Sequence, residues 1–132
     1  MPNTTVRDLY LAYIACLNAQ DWDELARYVG AGVTYNGQAL GFAAYRQARQ
    51  DEFRDIPDLR FDVQVLAADG STVASRLHFN ITPRGTFLGL PVNGRRIAFA
   101  EHAFYTFEAE KIVAVWSILD KAAIEAQLAP PT

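Results

Sequence analysis

Glu101 has the type and the setting that most invite chemistry in this 132-residue chain. The run from Arg95 to Phe107 alternates between two sets, Ile97, Phe99, Glu101, Ala103, Tyr105 and Phe107 against Ala98, Ala100, His102, Phe104 and Thr106. In a strand these sets are opposite faces. The first is the more apolar, and the carboxylate lies in it. Burial among apolar groups disfavours the charged form of a carboxyl and raises its pKa, which tunes a general acid or base toward neutral pH. With Glu108-Ala109-Glu110 as a three-residue hairpin loop, Phe107 pairs with Lys111, Glu101 with Ser117, Ala103 with Val115 and Phe99 with Leu119. A carboxylate and a hydroxyl then sit side by side. A loop of two or four residues gives Glu101 a neighbour of the other parity instead. The competing structural reading pairs Glu101 with an arginine or points it out of a sheet edge.

The remaining chemistry-bearing residues are weaker candidates. His102 falls on the face opposite Glu101 and reads as a surface or interface residue. Arg76 and His78 alternate with Leu77 and Phe79 and, through a turn at Asp69-Gly70, lie opposite Val63 and Phe61. They either line a cavity or form the polar outer face of a sheet. Asp120 is placed to cap a terminal helix. Gly85, Gly89 and Gly94 have no strand-to-helix context and form no phosphate loop.

The elements that must position Glu101 follow from the period of the apolar residues. Thr4 or Thr5 caps a helix whose positions Val6, Leu9, Tyr10, Tyr13, Cys16 and Leu17 recur at three and four, ending near Asn18. Asp21 and Glu24 suggest a capping box opening a second helix from 21 to 29, which Gly30 and Gly32 stop. Val33-Thr34-Tyr35 is a short strand. Phe42, Tyr45, Arg49 and Phe53 mark a third helix over about 41 to 54, closed before Pro57. From Leu59 the period becomes two, through Phe61, Val63 and Val65. Further strands follow from Val73 to Thr82, Arg95 to Phe107 and Lys111 to Leu119, then a short helix from Ala122 to Leu128 and an Ala129-Pro130-Pro131-Thr132 tail. Helices first and an antiparallel meander after them is an α+β layout.

Composition narrows the function classes. At 51% hydrophobic and 20% charged the chain has ordinary globular composition and reads as one domain over 1–132. A chain of this length buries roughly two-thirds of its unfolded surface, enough for a core without disulfides or a structural metal. A net charge of −3 supplies no basic footprint for nucleic acid. No apolar run approaches the ~20 residues of a membrane span, and Met1-Pro2-Asn3-Thr4-Thr5 lacks the regions of a secretory signal. The lone Cys16 favours a reducing compartment, so the expected location is cytoplasmic.

The block Gly85-Thr86-Phe87-Leu88-Gly89-Leu90-Pro91-Val92-Asn93-Gly94-Arg95-Arg96, followed by a strand and then Lys111-Ile112-Val113-Ala114-Val115-Trp116-Ser117-Ile118-Leu119-Asp120, resembles the SnoaL-like polyketide cyclase family. With the leading helices the likeness covers nearly the whole chain. It implies the cone-shaped α+β barrel of the nuclear transport factor 2 superfamily, with N-terminal helices packed in a strongly curved antiparallel sheet around an apolar pocket. It also implies cofactor-free, metal-free chemistry on a small apolar or aromatic ligand, commonly in dimers. Candidate substrate contacts in such a pocket are Tyr13, Tyr35, Phe53, Phe87, Leu90, Phe99 and Leu119, with Glu101 and Ser117 as candidate catalytic residues.

The chain departs from the family pattern where the chemistry is done. The resemblance puts Ser117 in the place of the family's acid/base Asp, Ala103 in that of its His, and Glu101 in that of a Gln. The Asp-Gly usual in the final hairpin is Ala109-Glu110. The exchange reads as relocation of the acid/base to Glu101 or as its loss. An enzyme performing cyclisation, isomerisation or dehydration is therefore one expectation, and a non-catalytic binding or assembly module the other. Epoxide opening by two carboxylates and an arginine ranks low, because no second carboxylate falls on the Glu101 face. Phe104, Trp116 and Ile118 share the opposite parity, a face too apolar to leave wet. It predicts a homodimer with His102 near the contact.

Overall fold

The computed structural model describes residues 5–130. Met1 to Thr4, including the alternative cap Thr4, and Pro131-Thr132 of the tail lie outside the described residues. Helix α1 (Val6–Asn18) is capped by Thr5, whose hydroxyl accepts from the Asp8 amide at 3.1 Å. It buries Tyr10, Tyr13, Ile14, Cys16 and Leu17 along one stripe. At its end, the Asn18 amide clamps the backbone of Phe61 from both sides, at 2.8 and 2.9 Å. This fixes α1 to the chain entering the sheet.

The expected second helix does not form. Residues 21–28 make turns around a single 3-10 turn at Leu25–Arg27, without a side-chain cap from Glu24. The chain is already extended in β1 (Val29–Tyr35), so Gly30 and Gly32 lie within a strand. Pairing decides this: β1 runs parallel to the last strand, and the Ile112 amide donates to Tyr28 O at 2.8 Å. A weak local helix signal yields to a partner that covers the backbone. An Asn36-Gly37 turn with positive φ at both residues, 49° and 84°, joins β1 to β2 (Gln38–Ala39), the twist a tight hairpin requires. Helix α2 spans Phe42–Asp55, close to expectation.

The remaining strands are β3 (Asp62–Asp69), β4 (Thr72–Ile81), a small hairpin of β5 (Thr86–Phe87) and β6 (Leu90–Pro91), β7 (Ile97–Glu108) and β8 (Lys111–Leu119), followed by α3 (Lys121–Leu128). The main sheet has the order β2-β1-β8-β7-β4-β3. It is mixed rather than wholly antiparallel, because of the β1–β8 pairing. Helices α1 and α2 pack on its inner face against Leu77, Phe79, Phe99, Tyr105 and Val115. Asp120 caps α3 through a bond from the Ala123 amide, and Gln127 of α3 bonds both backbone groups of Ala98. The terminal helix thus covers the stretch of β7 that extends past β8.

Two registers differ from expectation. The β7–β8 turn has two residues, with Glu108 opposite Lys111, which alone would put Glu101 and Ser117 on opposite faces. A bulge at Val113 adds one residue to β8, so that Phe107 faces Ile112 while Thr106 faces Ala114. Parity is restored, and both residues point inward. Ser117 is opposite Ala103, and Glu101 is opposite Leu119. An irregularity at Gln64 likewise sets Arg76 opposite Val65 and His78 opposite Asp62. Both belong to the outer parity of β4, since Val73, Ser75, Leu77, Phe79 and Ile81 take the buried positions.

Candidate active site

Two small adjoining cavities lie between α2 and the inner face of the sheet. One, of about 30 Å³, is lined by Tyr13, Tyr35, Tyr45, Arg49, Glu52, Phe61, Glu101, Tyr105, Val115 and Leu119. The other, of about 20 Å³, shares Glu52, Phe61, Glu101 and Leu119 and adds Phe79, Phe87 and Phe99 among its walls. Each is the size of about one water. Glu101 belongs to both.

The Ser117 hydroxyl donates to Glu101 Oε2 along the diagonal of the β7–β8 ladder. Ser117 is itself held by Asn36, whose Oδ1 accepts from the Ser117 amide at 2.8 Å and whose Nδ2 donates to its carbonyl at 3.2 Å. The turn after β1 therefore fixes the serine that fixes the carboxylate. Burial raises the Glu101 pKa, while the Ser117 bond and the nearby Arg49 charge hold the rise back.

Helix α2 supplies what faces it. Arg49 Nε donates to Glu52 Oε1. The Arg49 guanidinium lies over the rings of Tyr45 at 4.9 Å and Tyr35 at 5.7 Å. The Arg49 side chain is 14% exposed and that of Glu52 37%, so Glu52 stands nearer solvent. Burial raises the Glu52 carboxyl, and Arg49 opposes the rise. Burial would lower the Arg49 pKa, but Glu52 and the surrounding tyrosines keep it charged. Tyr13 and Tyr45 join hydroxyl to hydroxyl, and Tyr10 donates to Ser75 Oγ at 2.9 Å. Burial pushes Tyr10 up to about 12 and raises Tyr13, Tyr45 and Tyr105 as well, so these phenols stay protonated near neutral pH.

Of the sequence-derived contact residues, Tyr13, Tyr35 and Leu119 line the first cavity, and Phe87, Phe99 and Leu119 the second. Phe53 and Leu90 line neither. Phe53 packs edge-on to Trp22 and against Phe61, and Leu90 pairs with Phe87 in the small hairpin. Ser117 bonds Glu101 but lines neither of these two cavities, bordering instead a hollow on the outer face. The expectation of no second carboxylate beside Glu101 is overturned: Glu52 arrives from a helix, outside the strand parity on which that reading rested. Asn36, Tyr45, Arg49 and Glu52 are the additions. Their signals were an Asn-Gly turn and an arginine on the apolar stripe of α2.

On the outer face, Arg76 donates to Gln64 Oε1 and His102 Nε2, each at 2.7 Å. Phe104, Trp116 and Ile118 are 52%, 50% and 77% exposed there. A hollow of about 560 Å³ opens among His102, Phe104, Trp116 and Ile118. Among the described residues, no group of three or more His, Cys, Asp or Glu is gathered as metal ligands, and no helix is long and apolar enough to cross a membrane.

The family model described as SnoaL-like polyketide cyclase matches residues 7–128. A crystal structure of a SnoaL-like polyketide cyclase from Agrobacterium tumefaciens is 50% identical, with a TM-score of 0.94, over 96% of this chain and all of that one. TsrD from Streptomyces laurentii is 21% identical with a TM-score of 0.82, over 98% of each chain. IdmH from Streptomyces antibioticus is 20% identical with a TM-score of 0.80, over 94% of this chain and 98% of that one. The last two share the fold, the α+β cone anticipated from the glycine-rich block and the final strand. No curated protein matches the chain.

Proposed function

Because the chain belongs to the SnoaL-like polyketide cyclase family, we propose that it is a cofactor-independent enzyme that moves protons on an apolar carbonyl compound, with Glu101 as the acid/base. The observation that carries this reading is the half-buried Glu101 carboxylate, held at one oxygen by Ser117 in a cleft walled by aromatic rings. Ser117 has no carboxyl to offer, and Ala103 beside it has no titratable group. Proton transfer passes to Glu101, which faces the cavity from the next inward position of β7.

The Ser117 bond occupies Oε2 and leaves Oε1 for substrate. A carboxyl buried in this way is a better base once ionised and a usable acid once protonated. Cavities of 30 and 20 Å³ are far below the 300 Å³ or more of ordinary ligand pockets, so this reading requires the wall side chains to part before a ring-sized substrate can enter. Reaction classes that fit are isomerisation, aldol-type cyclisation and dehydration, each needing one group that takes and returns a proton. Cys16, buried and in no disulfide, suits a cytoplasmic location.

The test is hydrogen–deuterium exchange at the activated CH2 of 2-tetralone, followed by NMR in D2O with and without the protein. Acceleration that disappears in Glu101→Gln supports the reading. Tight binding of 2-tetralone without acceleration would favour the non-catalytic module, which the serine and alanine in the family's Asp and His places also suit. We further propose that a second copy of the chain covers the outer face at Phe104, Trp116 and Ile118, close to His102.

A further inference from the structure

The Arg49 guanidinium is a cation inside an aromatic cleft with donors left over. Its Nε is taken by Glu52, and it is otherwise held by the faces of Tyr45 and Tyr35. Among the described residues no fully buried side-chain nitrogen lacks a partner, and the Arg49 side chain keeps 14% of its surface exposed, so its remaining N–H groups are not sealed in an apolar wall. Arg49 lines the same cavity as Glu101. We propose that Arg49 is a second catalytic residue, binding the substrate oxygen on which negative charge develops when Glu101 removes a proton beside a carbonyl.

This rests on Glu101 acting as the base, and completes the same step. Glu101 takes a proton from the carbon next to the carbonyl. The C–H pair becomes the carbon–carbon double bond of the enolate, and the carbonyl π pair moves onto oxygen. Arg49 donates to that oxygen from a planar fork suited to oxyanions. Where a second carbon–carbon double bond in the substrate extends the enolate to a dienolate, protonated Glu101 returns the proton to the far carbon of that system, giving an isomer. Alternatively, the enolate carbon attacks a second carbonyl and Glu101 protonates the new alkoxide, giving a ring. Glu52 is a positioning residue here. By holding Nε it fixes the guanidinium on the cleft wall and keeps the cation partnered.

The test separates anion binding from proton transfer. 2-Naphthol is a flat analogue of the 2-tetralone enol, and its naphtholate absorbs at longer wavelength. Bound to Glu101→Gln, which mimics the protonated acid, it should ionise at lower pH than in water, with naphtholate preferred on the order of tenfold or more. Adding Arg49→Met should abolish that preference, and Arg49→Lys should keep part of it. Because Arg49→Met leaves Glu52 unpaired, the same comparison is made with Glu52→Gln present throughout, so that loss of folding cannot stand in for loss of binding. In the otherwise wild-type protein, Arg49→Met with Glu52→Gln should slow 2-tetralone exchange by about 10²- to 10³-fold relative to Glu52→Gln alone, as loss of an oxyanion donor does. An unchanged naphthol titration after loss of Arg49 overturns the proposal, as does failure of the Glu101→Gln protein to bind 2-naphthol. Arg49-dependent naphtholate binding without any wild-type exchange would retain the anion site while removing the proposed reaction.

Discussion

Ser117 donates its hydroxyl to Glu101 although the two are not partners in the ladder. Ser117 pairs with Ala103 and Glu101 with Leu119, and the contact runs along the diagonal between them. Diagonal neighbours on one sheet face lie within reach of a long side chain. A glutamate can span the offset where an aspartate at the same position would fall short.

Glu101→Gln should retain the fold and reduce 2-tetralone exchange by about 10²- to 10⁴-fold, the usual worth of general acid/base catalysis. Stability carries a second signature. Burial raises the folded-state pKa of Glu101, so the folded protein prefers the protonated carboxyl. The associated stability is fully present below the unfolded value and declines as pH rises through the folded one. The Tm of the glutamine variant should therefore gain on that of the parent as pH rises from about 4 toward neutrality. A Tm difference, variant minus parent, that falls as pH rises over this range would contradict the burial argument.

Ser117→Ala removes a bond that lowers the Glu101 pKa. Its pH–rate profile should keep its shape while the limb belonging to the base moves to higher pH. Ser117→Asp sets a second carboxylate beside the first, so like-charge repulsion raises one of the two pKa values further. Rates measured across pH 4 to 9 would show either displacement, and a profile identical to the parent's would remove Ser117 from the control of Glu101.

Asn36→Ala loses both bonds to the backbone of Ser117 and places alanine at a φ of 49°. We expect a loss of about 1 to 3 kcal/mol in denaturant unfolding. Asn36→Gly accepts the backbone angle without restoring the bonds. It should recover only part of the stability, and should slow exchange if the positioning of Ser117 matters to the reaction.

Ile118→Asp alters a side chain that is 77% exposed on the outer face. In a monomer it should be nearly neutral. If two copies meet on this face, a buried charge is costly, and sedimentation at micromolar concentration should change from dimer to monomer. A parent protein that sediments only as monomer would argue against the assembly.

The alternation of residues 97–107 placed a carboxylate on the core side of a strand, and the glycine-rich block with the final strand carried the family. Both survive in the structure because each depends on local period or on a contiguous motif. The helix expected over 21–29 did not survive. Its signals were weak, and the backbone of Tyr28 and Val29 gained a parallel partner in Ile112 that no local window contains. Register was likewise beyond the sequence. A two-residue turn and the bulge at Val113 each shift parity by one, and their cancellation is visible only once the strands are paired. The Glu101 neighbourhood shows the same limit. Arg49 and Glu52 come from a helix about fifty residues upstream, so which face of α2 met which part of the sheet was a matter of packing. Strand parity names the residues that share a face. Only the tertiary structure brings a guanidinium and a second carboxylate to the opposite wall.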